Sequence, residues 1–407
     1  MVKWKQTYWV VFFSNLITAV GMMSFLPFFP AILEDLGVTD LDERMAWTGL
    51  VFGGAPLAAA IMGPIWGAIG DRFGRKLMLI RALLAISVFV GLMGFARTPL
   101  ELFLLRLCQG VFSGFIPPSI ALVSVLAPRE RQGRVTASLQ AALPLGMILG
   151  PLVGGLIQDV SGTNAIFFFV SGAAGVSAVL VALVAYEDAS LRMTLEHFSP
   201  TSVLVETARD LKRLARSRDI RWTLAVLFAL QFGVGSTNPQ LQLYVEEIWH
   251  GDPTRIGWLT AWLFTSMAIA GLISTPAWGW VGDRFGHRRG LLFAAVGGAL
   301  VLGATTGIGV YALLVASRVL IGLTVPGANV CAFGVAAMES ADENRGGAFA
   351  AIFSARALAV SLGSMCGGAL SSLFGIRGLF LAAGTGVLFV VAVLWRRDAR
   401  RSAAARA

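Results

Sequence analysis

Long runs of apolar residues, separated by short polar segments, recur along the whole chain. Each run has about 20 residues or more, which is the length of helix that crosses the hydrocarbon core of a bilayer. The apolar residues are continuous rather than alternating, so helices are favoured over the strands of a membrane barrel. The pattern predicts an all-α integral membrane protein with twelve transmembrane helices, near residues 8–32, 47–69, 77–96, 100–126, 135–158, 164–186, 222–245, 256–281, 290–310, 312–338, 347–371 and 376–395.

Composition and charge support membrane insertion. Of the 407 residues, 56% are hydrophobic and only 14% are charged, whereas a soluble protein has about 25% charged residues. Most of the 32 Lys and Arg residues lie in the tails and loops on the predicted cytoplasmic side, and few lie in the predicted outer loops. This asymmetry predicts a multi-pass protein of the inner, or plasma, membrane with both termini in the cytoplasm. The net charge of +9 then reflects topology and contact with lipids, and no nucleic-acid partner is expected.

The first span and the cysteines argue against a cleaved signal peptide and against a disulfide framework. The first run follows Lys3 and Lys5, as a cleaved signal peptide would, but it is too long for one, so we expect it to be retained. The three cysteines all lie inside predicted spans. We therefore expect them to act as small apolar residues rather than as a disulfide framework.

An internal repeat divides the chain. The segment Gly-Asp-Arg-Phe-Gly occurs at Gly70–Gly74 and again at Gly282–Gly286, 212 residues later, and Arg106 matches Arg318 at the same spacing. A duplicated unit of six helices explains this constant offset. The predicted organisation is a six-helix bundle at 1–186, a basic cytoplasmic linker at 187–221, a second six-helix bundle at 222–395 and a cytoplasmic tail at 396–407. Two alternatives remain for the linker, namely a solvated connection or an amphipathic helix on the cytoplasmic leaflet.

Three motifs then resemble a known family. Six helices plus six, a central cytoplasmic loop and a G-x-x-x-D-R-x-G-R-K turn after the second helix resemble the major facilitator superfamily, whose fold has two six-helix halves. The fourth span carries R-x-x-Q-G from Arg106 to Gly110. The fifth carries G-x-x-x-G-P-x-x-G-G and is similar to the motif of twelve-helix drug:proton antiporters, the branch of bacterial multidrug and tetracycline exporters. Its residues are Gly146, Gly150, Pro151, Gly154 and Gly155.

The resemblance implies that the charged turn is a latch between the two halves that controls access. A turn that also anchors topology is the alternative, because glycine permits a tight reversal and basic residues face anionic lipid. The residues of this gating motif are Gly67, Gly70, Asp71, Arg72, Gly74, Arg75 and Lys76, with Asp283 and Arg284 in the second copy. The first copy is expected to be the more important one, since His287 and Arg288 replace Arg75 and Lys76 in the second.

Ionisable residues near or within the spans are candidates for coupling to protons. Arg106 lies deep in a span, where a charge is costly and usually functional, but arginine stays protonated and cannot carry a transported proton. We expect it to perturb a carboxylate or polar partners, or else to brace backbone carbonyls. No Asp or Glu lies in mid-span. The remaining candidates are the carboxylates at the outer ends of the first and seventh helices, which are Glu34, Asp35, Glu246 and Glu247; their alternative is a surface-facing helix end.

Amides, aromatic residues and methionines on the helices that line the cavity in this family predict an adaptable substrate site. The seventh span has a polar stripe at helical spacing, and Pro239 interrupts its backbone. Ordinary helix packing with polar contacts is the alternative for each residue. The candidates for the substrate cavity are Asn15, Met22, Phe25, Phe29, Gln109, Gln231, Asn238, Gln242, Asn329, Phe333 and Arg356. The glycines of the fifth span share one face and predict a close helix interface, kinked by Pro151.

The sequence thus predicts a secondary active transporter, active as a monomer, that exports hydrophobic or amphipathic small molecules, including antibiotics, in exchange for protons by alternating access. The alternative within the family is a facilitator or a symporter or exporter for sugars, siderophores or organic anions. No phosphate-binding loop and no catalytic or metal-ligating constellation appears in the sequence. An enzyme, a metal site and a cofactor are therefore not expected, and the proton gradient is the expected source of energy.

Overall fold

The computed structural model describes residues 2–128, 131–187, 205, 217–339 and 345–404, and these residues form helices and no strand. Most of the predicted linker lies outside this described part of the chain. We label the helices α1 (Val2–Ser24), α2 (Phe29–Asp35), α3 (Leu41–Phe73), α4 (Arg75–Met93), α5 (Pro99–Phe112), α6 (Ile116–Leu126), α7 (Gln132–Gln140), α8 (Ala142–Ser161), α9 (Thr163–Val184), α10 (Arg218–Thr237), α11 (Leu241–Ile248), α12 (Ile256–Phe285), α13 (His287–Thr305), α14 (Tyr311–Glu339) and α15 (Arg345–Ala404).

Eleven apolar helical stretches among the described residues are long enough to cross a membrane. Twelve were predicted, and the difference lies in α15, which has 60 residues and contains two helices joined at Gly375. Gly375 has a φ of 71°, a backbone conformation that favours glycine. A single glycine thus replaces the polar loop expected between the last two spans. The second part of α15 also continues to Ala404, into the predicted tail.

Several spans are interrupted by prolines or glycines. Pro27 and Pro239, which match in the repeat, each lie at the start of a short 3₁₀ helix, between α1 and α2 and between α10 and α11. The fourth span is divided into α5 and α6 at Gly114, whose φ is 122°. The predicted span 100–126 matches the apolar stretch Pro99–Leu126, and the structure adds a break in its helix that was not predicted. Interrupted helices leave backbone groups without helical partners, and such groups occur at membrane depth beside protein or a polar cavity.

The chain folds into two compact units. The first comprises Met1–Thr39, Gly54–Glu206 and Thr254–Thr265, and the second comprises Asp40–Gly53, Thr207–Pro253 and Ser266–Ala407. These units differ from the predicted halves in two short segments, the beginning of α3 and the beginning of α12. The division at 1–186 and 222–395 therefore stays a prediction, and the two units are described separately.

Glycines let helices approach closely in the first unit. A Cβ atom added to Gly146 would meet Ala19, one added to Gly150 would meet Val20 and Met23, and one added to Gly154 would meet Ser24. These glycines therefore form the surface of α8 against which α1 packs, with buried Pro151 between them. The expected close helix interface of the fifth span is where the sequence placed it.

The second unit repeats this packing with different side chains. Gly363 lies against Phe232 and Gly367 against Ser236, and these partners are the repeat counterparts of Val20 and Ser24. A tryptophan contact recurs as well. The indole Nε1 of Trp66 donates to the Val111 carbonyl at 2.7 Å, and that of Trp278 donates to the Leu323 carbonyl at 2.6 Å. Residues that are 212 positions apart thus make equivalent contacts in the two units.

Candidate functional site

The charged turn is made at Gly74 alone. α3 continues through Gly70 to Phe73, and Gly74, with a φ of 116°, separates it from α4. The expectation that Gly70 shares in the reversal is therefore wrong, because Gly70 has helical neighbours on both sides. The side chains of Asp71 and Arg72, and the surroundings of Gly67 and Gly70, lie outside the described part of the structure.

A carboxylate that sequence reasoning missed binds this turn. Glu187 Oε1 accepts from the backbone N–H of Arg75 at 2.5 Å and from that of Lys76 at 3.3 Å. These are among the first N–H groups of α4, which have no partners within the helix and attract negative charge. Lys76 Nζ also donates to the Ala182 carbonyl at 2.8 Å. The turn is thereby attached to the end of α9, where the central linker begins.

The second copy of the turn makes different contacts. Gly286 has a φ of 90° and separates α12 from α13. The Asp283 carboxylate is exposed and lies 3.6 Å from His287 Nε2. Arg284 lies over the ring of Trp280 at 5.2 Å, whereas Arg288 pairs with Asp219 at 2.7 Å. The two turns therefore share a glycine of positive φ, while the described contacts of Arg75 and Lys76 differ from those of His287 and Arg288.

The structure brings four other predicted site residues together around Arg106. Its side chain is buried, and Nη1 donates to Gln109 Oε1 at 2.5 Å. Gln109 Nε2 lies 3.8 Å from Met22 Sδ. The guanidinium carbon lies 5.1 Å from the centre of the Phe25 ring and 5.5 Å from that of Phe29. This arginine cluster combines a fixed positive charge, an amide and soft apolar side chains, beside the interruption between α5 and α6.

Other cavity candidates form smaller groups. In the first unit, Asn15 Nδ2 donates to Ser119 Oγ, in the first turn of α6, at 2.7 Å. In the second unit, Gln231 Nε2 donates to Asn329 Oδ1 at 2.9 Å and joins α10 to α14. The Oδ1 atom of Asn238 is buried with no hydrogen-bond partner in the structure.

Gln242 Nε2 donates to Glu246 Oε1 at 3.0 Å within α11. The two remaining cavity candidates, Arg356 and Phe333, are not brought into these hydrogen-bonded pairs. Arg356 lies over the ring of Phe353 on its own helix, at 5.4 Å. Phe333 is half-buried. Their membership of a substrate site stays a prediction.

The four candidate carboxylates are not equivalent. Glu34 and Asp35 at the end of α2 are exposed, and Asp35 accepts from Thr163 Oγ1. Glu247 is exposed and pairs with Arg377. Glu246 is mostly buried, and its Oε2 lies 3.0 Å from Arg44 Nη2. The sequence treats the adjacent glutamates alike, whereas the structure pairs the exposed Glu247 with Arg377 and the mostly buried Glu246 with Arg44 of α3.

No metal site is indicated among the described residues, since they contain no group of three or more His, Cys, Asp and Glu side chains placed to hold an ion. The side chains at the candidate sites are instead suited to holding organic molecules and to responding to charge.

Comparison with known proteins identifies the fold and its relatives. The chain is 31% identical over 293 residues, 72% of this chain and 70% of the relative, to the multidrug resistance protein MdtG of Proteus mirabilis. It is 29% identical over 402 residues, 98% of this chain and 97% of the relative, to MdtG of Salmonella typhimurium.

Solved structures share the fold at low identity. A bacterial homologue of the human lysosomal transporter Spinster has a TM-score of 0.77 and 14% identity, covering 98% of this chain and 97% of its own. The human organic anion transporter MFSD10 has a TM-score of 0.67 and 17% identity, covering 97% of this chain and all of its own. The predicted all-α membrane fold is confirmed. The family model of the Major Facilitator Superfamily matches residues 11–248 and 223–407, so this multi-pass membrane protein belongs to that superfamily.

Proposed function

We propose that this protein exports hydrophobic or amphipathic drugs from the cytoplasm in exchange for protons, by alternating access. The observation that carries the proposal is similarity over nearly the whole chain to proteins named multidrug resistance protein MdtG. We place the transporter in the inner membrane with both termini in the cytoplasm, because basic residues are concentrated on the segments that this orientation puts inside.

The arginine cluster supports an adaptable site. Met22, Phe25 and Phe29 offer polarisable apolar surface, and Gln109 offers an amide next to the buried guanidinium of Arg106. Flexible and aromatic side chains with a few polar groups suit bulky, partly polar ligands of varied shape. The adjacent break in the fourth span supplies the irregular backbone that membrane transporters place beside their binding sites.

Coupling to protons requires a group that changes its charge. Arg106 keeps its proton, so its role is to set the field at the site and to hold Gln109 in place. The proton is carried by a carboxylate, and the candidates remain Glu34, Asp35, Glu246 and Glu247. Their location near the predicted outer surface gives them access to external protons.

The test is a flux assay with the purified protein in proteoliposomes. The vesicle lumen is made acidic, and a panel of ethidium, other fluorescent drugs, siderophores and sugars is offered outside. An exchanger should accumulate a drug while the lumen becomes alkaline, and neither change should occur in empty vesicles. A symporter for sugars or organic anions would instead accumulate its substrate only under the opposite gradient. Accumulation of no drug under an acidic lumen would contradict the proposal.

A further inference from the structure

A partly buried ion pair lies in the second unit. Arg44, in the first turn of α3, and Glu246, in α11, approach at 3.0 Å between Nη2 and Oε2. Only 11% of the Arg44 side chain and 23% of the Glu246 side chain are exposed. An ion pair at this burial is screened little by water, and removing one partner leaves a costly uncompensated charge. The state of Glu246 is therefore tied to the position of Arg44.

The two oxygens of Glu246 have different partners. Oε1 accepts from Gln242 Nε2 at 3.0 Å, whereas Oε2 accepts from Arg44. While the amide of Gln242 donates to Oε1, the oxygen that is left for a proton on Glu246 is Oε2. The proton and the guanidinium of Arg44 thus compete for the same oxygen atom. Glu246 cannot hold both in this geometry.

The position of Arg44 is set by close packing of its helix segment. We call Leu41–Gly53 the docking segment. A Cβ added to Gly49 would meet the backbone of Ser364 and Gly368. Ser361 Oγ donates to the Gly53 carbonyl at 2.6 Å, and Gln240 Nε2 donates to the Met45 carbonyl at 3.1 Å. A segment held by backbone approach fits in one place or is displaced as a whole, so Arg44 arrives and leaves with it.

Neighbouring charged groups have their own partners. On α11 itself, Glu247 pairs with Arg377 at 2.7 Å, and 41% and 44% of these side chains are exposed. The Tyr244 hydroxyl lies 2.7 Å from the Thr305 carbonyl. On the docking segment, Glu43 accepts from the indole of Trp47. On α14, the buried Arg318 lies over the ring of Phe380 at 5.4 Å. Glu247 is therefore a matched control for Glu246, since it is adjacent, acidic and paired, but its partner is not on the docking segment.

We propose that Glu246 carries the coupled proton and that Arg44 displaces this proton when the docking segment packs onto α11 and α15. With the segment displaced, Glu246 Oε2 takes a proton from external water and becomes neutral. When the segment docks, Arg44 Nη2 takes its place at Oε2, the carboxylate is restored, and the proton leaves to water. Arg44 remains positively charged throughout, so one proton is released for each docking. This inference rests on the proposed exchange of drug for protons.

The pH dependence follows from linkage. A proton that binds only the displaced state favours that state as the pH falls, and the ratio of displaced to docked protein changes by up to about tenfold per pH unit. Removing the carboxylate abolishes this dependence. Replacing Glu246 with glutamine also removes the charge that attracts Arg44, so the displaced state becomes more populated at every pH.

The experiment measures the distance between two spin labels by pulsed electron paramagnetic resonance, with the protein in nanodiscs and without any drug. Labels are attached at Leu41→Cys on the docking segment and Leu373→Cys on α15, both exposed, after replacement of the native cysteines Cys108, Cys331 and Cys366. The population at long distance should rise as the pH falls from 8.5 to about 5 in the otherwise unchanged protein, as linkage requires. In Glu246→Gln this population should be large and independent of pH.

Three further variants make the result specific. Glu247→Gln should keep the original pH response, and Arg44→Gln should lose it. Arg44→Lys and Glu246→Asp, which keep the charges, should retain a response with a shifted midpoint. An unchanged response in Glu246→Gln, or equal loss in Glu247→Gln, would overturn the inference. The labels report without transport, so a pH response that needs Glu246 in a protein that moves no drug would refute the proposed function and leave the proton site in place.

Discussion

The glycine surface of α8 gives a prediction whose size can be worked out from distances. A Cβ at Gly150 would lie 2.6 Å from Met23 Cβ and 2.7 Å from the Val20 carbonyl oxygen. Ordinary van der Waals contacts are about 3.5–4.0 Å, so α1 and α8 would have to move apart by about 1 Å. Overpacking of this kind costs roughly 1–3 kcal/mol. Against it, alanine is better than glycine in a helix by about 1 kcal/mol.

We therefore expect Gly150→Ala to be destabilised by up to about 2 kcal/mol, after the gain in helix propensity is subtracted. The measurement is thermal unfolding of the purified protein in detergent, monitored through the loss of its monodisperse peak in size-exclusion chromatography. Proton-driven flux in proteoliposomes is recorded in parallel, since a changed interface between α1 and α8 should slow it.

A glycine with no neighbour supplies the control. Gly172 in α9 is exposed, and a Cβ there would meet nothing within 4 Å. Gly172→Ala should be neutral or slightly stabilised by the gain in helix propensity. If Gly150→Ala unfolded at the same temperature as Gly172→Ala, the close approach of α1 and α8 would not be a feature of the folded protein.

Three other predictions follow from the charged residues. Glu187→Ala should lower stability by about 1 kcal/mol, the usual value of a helix cap, and Glu187→Gln, which keeps an acceptor for the N–H groups of Arg75 and Lys76, should retain most of it in the same unfolding assay. Arg106→Lys should reduce drug flux roughly tenfold or more, because a charged hydrogen bond of about 1.5–3 kcal/mol to Gln109 is lost; flux equal to the unchanged protein would contradict this. Asp71→Asn should abolish drug flux. Membrane insertion, measured by surface labelling, should be unaffected.

Local signals made part of the fold predictable. Apolar runs long enough to span a bilayer gave the helices, and Pro239 gave the break in the seventh span, because both effects depend on adjacent residues. The break at Gly114 had a local signal too. Pro117 and Pro118 remove two N–H donors at the start of α6, although the pair lies inside an apolar run.

Contacts between distant residues could not be predicted in this way. Arg44 and Glu246 are 202 positions apart, and Glu187 is 112 positions from Arg75. Neither pair has a repeat spacing or a motif that would bring it to attention. Nothing in the sequence separates Glu246 from Glu247, because burial of a helix end depends on which helix covers it. The choice among the candidate carboxylates therefore required the structure.

The repeat has kept its packing and changed its polar groups. Glycines approach carbonyl groups at equivalent positions in both units, because a backbone contact leaves no room for any other side chain. Arg318 occupies the repeat position of Arg106, but Ile321 stands where Gln109 is, and Arg318 lies over Phe380 with Ser317 beside it. Shared packing makes both units foldable by the same rule, whereas the proposed coupling to protons would depend on charges that differ between them. Substitutions at the repeated glycines should thus impair stability in either unit, and substitutions at the unmatched polar residues should impair transport in addition to any loss of stability.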